Sequence, residues 1–158
     1  MAGPQGSQGE TGTANVIYSD WIMVEQADWE GDPSSFLDTD ISAPEITQDI
    51  IDMGLVFVYR KLGNNNVILK LNFMDFNGWN NLFMMNIGTL NIIVHKGTAS
   101  SDVQKRDLQY RYVVVPGGVA AGGRLGISSQ QVIYNELAEA GVDVNDYAQV
   151  AAYYNIQD

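Results

Sequence analysis

Two apolar segments separated by a polar turn constrain the fold more than any other feature of this sequence. The segment LVFVYRKL (55–62) is followed by GNNN and then by VILKLNFM (67–74). Glycine and asparagine tolerate positive φ, so this pattern predicts a β-hairpin. In the second segment, alternate apolar positions from Val67 to Phe73 are typical of a strand with one buried face. Hairpins in succession, without alternating strand–helix units, indicate an antiparallel sheet.

Other segments add strands to this sheet. The apolar stretch Ala14–Val24 predicts one strand, and the acidic residues 25–42 predict a loop with at most one short strand. LFMMNIGTLNIIVHK (82–96) predicts one long or bulged strand, broken near Gly88. YRYVVV (110–115) predicts a strand that stops at Pro116.

Three helices are expected. An S-x-x-E capping box at Ser42, with a stop at Gly54, predicts a helix of about ten residues. A second capping box at Ser128 begins a helix that ends at Gly141, and Asp146 caps a last short helix. The fold class predicted is α+β, mainly β: a single antiparallel β-sandwich-like domain over residues 14–158, with one early helix and two short C-terminal helices.

The first residues have a different character. Gly3, Gly6, Gly9 and Gly12 recur at every third position, with Pro4 in the first triplet. A collagen triple helix needs glycine at this spacing because only glycine fits at its crowded axis. A few triplets are too short to hold a triple helix alone. Residues 1–13 are therefore interpreted as a collagen-like, extended tether.

Several phrases together carry a family resemblance. The triplets are followed by GTANVIYSDWI, ITQDIIDMGLVFVYRKL, RYVVVPGG and DYAQVAAYYNI. Over essentially its whole length the chain resembles small collagen-stub surface lipoproteins of Bacteroidetes-type bacteria. The resemblance implies a signal peptide and a lipidated cysteine upstream of Gly3, with the triplets as a spacer between the lipid anchor and the domain. It implies an extracytoplasmic location, at the outer membrane or cell surface, and brings no catalytic residue or ligand.

Charge and composition exclude several partners. Residues 1–59 hold eleven acidic side chains and no lysine or arginine, whereas from Arg60 onward eight bases meet eight acids. With a net charge of −11, such a chain repels phosphate backbones and anionic lipid, which argues against nucleic-acid and membrane-surface binding. The sequence has no cysteine, which excludes disulfides, thiolate metal sites and cysteine nucleophiles.

A cluster of acidic residues is the weak candidate for a metal site. Calcium takes six to eight oxygen ligands, and neighbouring loops can supply several of them. The D-x-[DN]-x-[DN]-G spacing of an EF-hand is absent, so solvated loop acids are the alternative. No other cofactor is expected. The candidate calcium ligands are Asp28, Glu30, Asp32, Asp38 and Asp40.

An aromatic turn is the candidate ligand site. In DFNGWNNLF (75–83), Asp75, Phe76 and Trp79 combine aromatic rings with polar groups, as carbohydrate-binding sites do. The ligand expected here is a carbohydrate or a protein. The alternative is that Trp79 plugs one end of the sandwich.

No catalytic residue is predicted. His95 precedes Ser100, Ser101 and Asp102, but no G-x-S-x-G elbow is present to supply an oxyanion hole. GVAAGGRL (118–125) imitates a phosphate-binding loop without its lysine or hydroxyl, so it is interpreted as a flexible connector.

The function expected is therefore non-enzymatic: a surface-displayed domain on a short tether that binds a ligand or has a structural role in the envelope. Two alternatives stay open. One is a secreted hydrolase of glycans or esters, which requires two converging carboxylates in a pocket, or His95 beside a serine. The other is a trimeric fibre or appendage subunit seeded by the triplets.

Overall fold

The structure is a computed structural model that describes residues 15–63, 67–117 and 128–158. The predicted tether (1–13) and connector (118–125) lie outside the described residues. The described strands are β1 (Ile17–Tyr18), β2 (Ile22–Val24), β3 (Glu30–Asp32), β4 (Phe36–Ser42), β5 (Leu55–Leu62), β6 (Val67–Lys70), β7 (Phe73–Met74), β8 (Asn80–Asn86), β9 (Thr89–His95) and β10 (Leu108–Val115). The helices are α1 (Gln48–Met53), α2 (Ser129–Glu139) and α3 (Tyr147–Tyr154), and a 3₁₀ turn covers Gln26–Asp28.

The strands form two antiparallel sheets. The central sheet has the order β1–β10–β5–β6, and β2 also pairs with β10. The outer sheet has the order β3–β4–β9–β8–β7. The predicted class, a mainly antiparallel β-sandwich-like fold with three short helices, is confirmed.

Apolar clusters lie on both faces of the central sheet. Between the two sheets, Val58 packs in a cluster that includes Leu90 and Ile92 of the outer sheet. On the opposite face, Phe57 shares a second cluster with Leu137 of α2 and with residues of α3. The molecule therefore has three layers: helices, central sheet and outer sheet. Burial on both faces explains why β5 and β10 are nearly continuous apolar runs rather than alternating ones.

The two C-terminal helices begin where their capping residues predict. The Ser128 side chain accepts a hydrogen bond from the Gln131 amide, and the Asp146 side chain accepts one from the Gln149 amide. The first helix begins later than predicted. Ser42 is the last residue of β4 and is paired with Thr89, so it is not a cap; the Thr47 side chain accepts from the Ile50 amide instead.

The segment 25–42 was predicted as a loop with at most one short strand, and that prediction is wrong because the segment holds two strands. It contains a β3–β4 hairpin, and β4 pairs with β9 along seven residues. Its alternating buried residues, Leu37, Thr39 and Ile41, are separated by exposed or half-buried acids. The acidic composition hid this alternation, because the carboxylates lie on the solvent face of a one-sided strand.

Three predicted single strands are each divided. Ala14–Val24 forms β1 and β2, joined through Ser19, whose Oγ accepts from the Tyr112 amide at 3.0 Å. Residues 82–96 belong to a hairpin, because Gly88 with φ of 77° turns the chain between β8 and β9. Residues 67–74 divide into β6, at the edge of the central sheet, and β7, at the edge of the outer sheet. Within the described residues, no helix has the length and apolar character needed to cross a membrane.

Candidate ligand-binding groove

A groove opens where the core between the two sheets ends. It has a volume of about 550 Å³. Its apolar lining consists of Leu62, Leu69, Phe73, Met74, Phe76 and Leu108. Arg60, Gly63, Asp75, Asn77, Arg106 and Asp107 complete it. We call this feature the Arg60 groove.

Strand alternation places Arg60 in this groove. Val56 and Val58 belong to the core between the sheets, and Arg60 and Leu62 continue the same face of β5. Leu69 lies opposite Arg60 in the β5–β6 ladder and therefore shares that face. One wall of the groove is thus the continuation of the core-facing side of the central sheet.

The turn from Asp75 to Trp79 builds the other wall. The Asp75 Oδ1 atom accepts from the amides of Asn77 at 2.9 Å and Trp79 at 3.2 Å, and its Oδ2 accepts from Asn81 Nδ2 at 3.2 Å. Gly78 has φ of 84°, which favours glycine there. The Asp75 carboxylate therefore organises the turn that holds the rim of the groove.

The three predicted ligand residues have different positions. Asp75 and Phe76 line the groove, and Phe76 is 95% exposed. Trp79 is only 3% exposed; its Nε1 donates to the Ser101 carbonyl at 3.1 Å. Trp79 thus closes the end of the core, which was the alternative, and does not offer a ring face to a ligand.

Arg60 is a buried cation without a carboxylate partner. Its side chain is 6% exposed. Among the described residues it makes one hydrogen bond, from Nη1 to Asn81 Oδ1, and none of its nitrogens is within 4.0 Å of a carboxylate oxygen. Its guanidinium carbon lies 5.7 Å from the centre of the Phe73 ring. Burial lowers the pKa of Arg60 below its ordinary value, a sign of incomplete compensation of the charge.

Other polar atoms near the groove are also buried without a hydrogen bond in the described structure. They are Arg60 Nε, Asn77 Nδ2 and Tyr110 Oη. Tyr110 lies directly opposite Arg60 in the β5–β10 ladder. Burial raises the pKa of Tyr110, and the positive charge of Arg60 acts in the opposite direction. Arg60 and Asn77 line the groove, whereas Tyr110 does not, and buried groups of this kind are normally paired with a protein, water or ligand group.

Arg106 and Asp107 form the remaining edge. The Arg106 guanidinium lies 5.0 Å from the Trp79 ring centre, and Nη2 donates to Gln104 Oε1 at 3.3 Å. Asp107 Oδ1 accepts from the Gln26 amide at 2.9 Å. Asp75 and Asp107 therefore both accept hydrogen bonds from backbone amides, and these bonds hold the neighbouring loops in place.

The candidate calcium ligands are brought together only in part. Four of the five acids, Asp28, Glu30, Asp38 and Asp40, line a second cavity of about 700 Å³, whereas Asp32, the last residue of β3, does not line it. Asn91 Nδ2 donates to both Asp38 and Asp40, at 2.9 Å each. In the part of the chain that the structure describes, no group of three or more acidic or histidine side chains is arranged to hold a metal ion. Calcium binding stays a prediction.

His95 is at the surface. Its Nδ1 accepts from the Gly97 amide at 2.9 Å, and its ring stacks on Phe36 with the centres 6.4 Å apart. Asp102 pairs with Lys96 at 3.0 Å. Within the described residues no hydrogen bond connects His95 to a serine or a carboxylate, so a Ser–His–Asp geometry is not assembled there.

Sequence reasoning did not identify Arg60, Asn77, Arg106 or Tyr110 as site residues. The sequence did contain a pattern that points to Arg60. In LVFVYRKL it lies two residues after Val58 and four after Val56, so this cation is on the side of an apolar strand that faces the core. A charge at such a position is expected only where it is paired or has a function. Comparison with known proteins found no matching family model, no matching curated protein and no matching solved structure.

Proposed function

We propose that this chain is a non-enzymatic binding domain that holds a ligand in the Arg60 groove. One observation carries the proposal: a buried arginine, with most of its donors unused, lines an open and largely apolar groove. Binding sites commonly combine an apolar lining with a few polar groups that fix orientation. A purely structural arginine at this position would be expected to have a carboxylate beside it.

The same groove supports a binding role over hydrolysis. Hydrolysis by paired carboxylates needs two acids that face the substrate, one of them ready to donate a proton. Asp75 and Asp107 border the groove, but Asp75 accepts three hydrogen bonds and Asp107 is bound to the Gln26 amide. We therefore propose a binding role without catalysis. We further propose that the G-x-y tether displays the domain outside the cytoplasm, at the outer membrane or cell surface.

Binding of a neutral apolar dye tests this proposal. N-phenyl-1-naphthylamine emits strongly in apolar surroundings, so the full chain should increase its emission. Leu69→Gln places an amide in the groove, and we expect it to weaken binding about tenfold, the effect of losing one buried leucine contact. Met84→Gln is the matched control, because Met84 is 59% exposed on β8 and does not line the groove.

The position of the dye is measured on the same samples. In a nitrogen–proton correlation spectrum, the amides of Leu62, Asn77 and Leu108 should shift when dye is added. An unchanged emission, or shifts confined to residues away from the groove, would overturn the proposal. Equal weakening by Met84→Gln would overturn it as well.

A further inference from the structure

We infer that the Arg60 groove takes an amphipathic monocarboxylate, in which a single carboxylate head is attached to an alkyl chain. This inference rests on the proposed binding function and specifies the chemistry of the ligand. The head would pair with Arg60, and the chain would lie against the apolar lining. Phe76 of this lining was predicted from the sequence as a ligand residue, whereas Arg60 was not.

The unused hydrogen-bonding groups favour an acceptor. A guanidinium carries five N–H donors, and Arg60 uses one of them within the described residues. Asn77 also lines the groove, and its Nδ2 donor has no hydrogen-bond partner within the described residues. A carboxylate provides two oxygens with several acceptor positions and binds arginine in a planar, two-pronged geometry. Its acceptors therefore complement these donors.

The charges around the groove favour an anion with a single charge. Arg60 has no carboxylate within ion-pair distance, and the nearest acid in its hydrogen-bond network, Asp75, is separated from it by the Asn81 amide. An incoming anion would compensate this buried cation. Asp75 and Asp107 border the same groove and offset the charge of Arg106, so a second negative charge would find no further uncompensated cation there. A carboxylate is thus favoured over a phosphate dianion.

The lining favours an alkyl chain over a sugar. Leu62, Leu69 and Leu108 present branched aliphatic surface, and Met74 adds a flexible thioether chain. Sugar faces bind on flat aromatic rings surrounded by hydrogen-bonding side chains. The Trp79 ring, which the sequence predicted together with Phe76 as such a platform, is buried and covered by Arg106. Phe73 and Phe76 are the aromatic rings left in the lining, and they share it with four aliphatic or thioether side chains, so an extended hydrocarbon matches most of the surface.

Ligands with one tail and different heads test the inference. The full chain is titrated near neutral pH, below micelle-forming concentrations, with decanoate, decanol, decyltrimethylammonium, decyl phosphate and decyl glucoside, and amide shifts in the groove are followed. We expect decanoate to bind about tenfold more tightly than decanol, the effect of one charge-assisted contact. The ammonium, phosphate and glucoside ligands should all bind more weakly than decanoate.

Two variants assign the preference to Arg60. Arg60→Met should bind decanoate and decanol equally, while its retained decanol binding reports a folded groove. Arg60→Lys should keep part of the preference, because it retains the charge without the planar fork. Lys61→Met is the matched control, because it removes the same charge from the next residue of β5. The Lys61 side chain lies on the opposite face of the central sheet, over the Trp21 ring. This variant should keep the full preference.

The outcomes separate the inference from the proposed function. If all decyl ligands shift the groove amides with equal affinity, the head-group inference fails and the binding function stands. Tighter binding of the phosphate or the glucoside than of decanoate also overturns the inference, as does a loss of preference in Lys61→Met equal to that in Arg60→Met. If no decyl ligand shifts the groove amides, the proposed function fails with it.

Discussion

Two buried arginines on neighbouring strands allow a direct comparison of the two faces of the central sheet. Arg60 lies opposite Tyr110, and at the next position of the same ladder Tyr59 lies opposite Arg111. Because successive residues alternate between faces, the first pair faces the outer sheet and the second faces the helices. The same two residue types therefore meet two different environments.

The helical face encloses its arginine. Arg111 Nη1 donates to Tyr147 Oη at 2.6 Å and to Asp158 Oδ1 at 3.1 Å. Its guanidinium also lies 5.4 Å and 5.1 Å from the ring centres of Tyr18 and Trp21. The tyrosine of this pair is satisfied as well, since Tyr59 Oη donates to the Val144 carbonyl at 3.0 Å. On this face the cation is part of the packing between sheet and helix.

Two features distinguish Arg60, which we propose to bind a ligand, from Arg111. The Nε atoms of both arginines are buried without a hydrogen bond in the described structure, so an unpaired atom alone does not separate them. The two arginines differ in whether a carboxylate lies beside them and in whether other residues cover them. Arg111 has a carboxylate and is covered by α3, whereas Arg60 has an amide partner and borders an open groove.

Replacing each arginine with methionine should change the free energy of unfolding by different amounts on the two faces, and the larger of these changes should exceed those of the other substitutions. Arg111→Met leaves the Tyr147 hydroxyl without its cationic donor, and we expect the free energy of unfolding to fall by about 2–3 kcal/mol. Arg60→Met also leaves an acceptor, Asn81 Oδ1, without its donor. It removes a buried cation that has no carboxylate partner, however, so the two effects offset each other and the net change should stay within about 1 kcal/mol. Urea unfolding measures both, and equal losses would remove the distinction between the faces.

Alkaline pH should reduce the stability contributed by the buried tyrosine on each face of the central sheet. Burial raises the pKa of Tyr59 and of Tyr110, so the folded state holds their protons more tightly than the unfolded state does. Stability is therefore complete below about pH 10, where unfolded tyrosine ionises, and is lost as pH rises beyond it. Tyr59→Phe and Tyr110→Phe should each reduce this slope by up to about 1.4 kcal/mol per pH unit. Unfolding measured at several alkaline pH values tests this, and an unchanged slope contradicts it.

At neutral pH the same two substitutions should differ. Tyr59→Phe removes the hydrogen bond to Val144 and leaves that carbonyl without this donor, with an expected loss of about 1 kcal/mol. The Tyr110 hydroxyl makes no hydrogen bond within the described residues, so Tyr110→Phe should change stability by less than about 0.5 kcal/mol. Thermal or urea unfolding distinguishes them. A larger loss for Tyr110→Phe would mean that its hydroxyl is already satisfied.

The smallest effect is expected at the carboxylate of the helical face. The Asp158 side chain is 82% exposed, so solvent and salt screen its attraction to Arg111. Asp158→Asn should therefore lower stability by about 0.3 kcal/mol, and added salt should reduce the difference. A loss as large as that of Arg111→Met would instead show that the carboxylate carries the whole interaction.

The sequence predicted the elements that local signals define. The apolar run of β5, the caps of α2 and α3 and the antiparallel class follow from patterns within a few residues. The separation of β6 from β7 and the β3–β4 hairpin depend on which sheet each strand joins, which neighbouring residues do not encode. The residues of the candidate site also differ in whether local sequence could predict them. Asp75 and Phe76 were identified from their turn, whereas the pairing of Arg60 with Tyr110 joins residues far apart in the chain.

The separation of β6 from β7 has a consequence for how the groove can vary. After β6 the chain leaves the edge of the central sheet and enters the edge of the outer sheet, so both walls are encoded within residues 60–77. Arg106, Asp107 and Leu108 add the only lining from elsewhere among the described residues. Most of the surface that we propose for binding is thus one continuous cassette. Exchanging that cassette as a block would change what the groove accepts while leaving β4, β8 and β9, and the helices on the far side, in place.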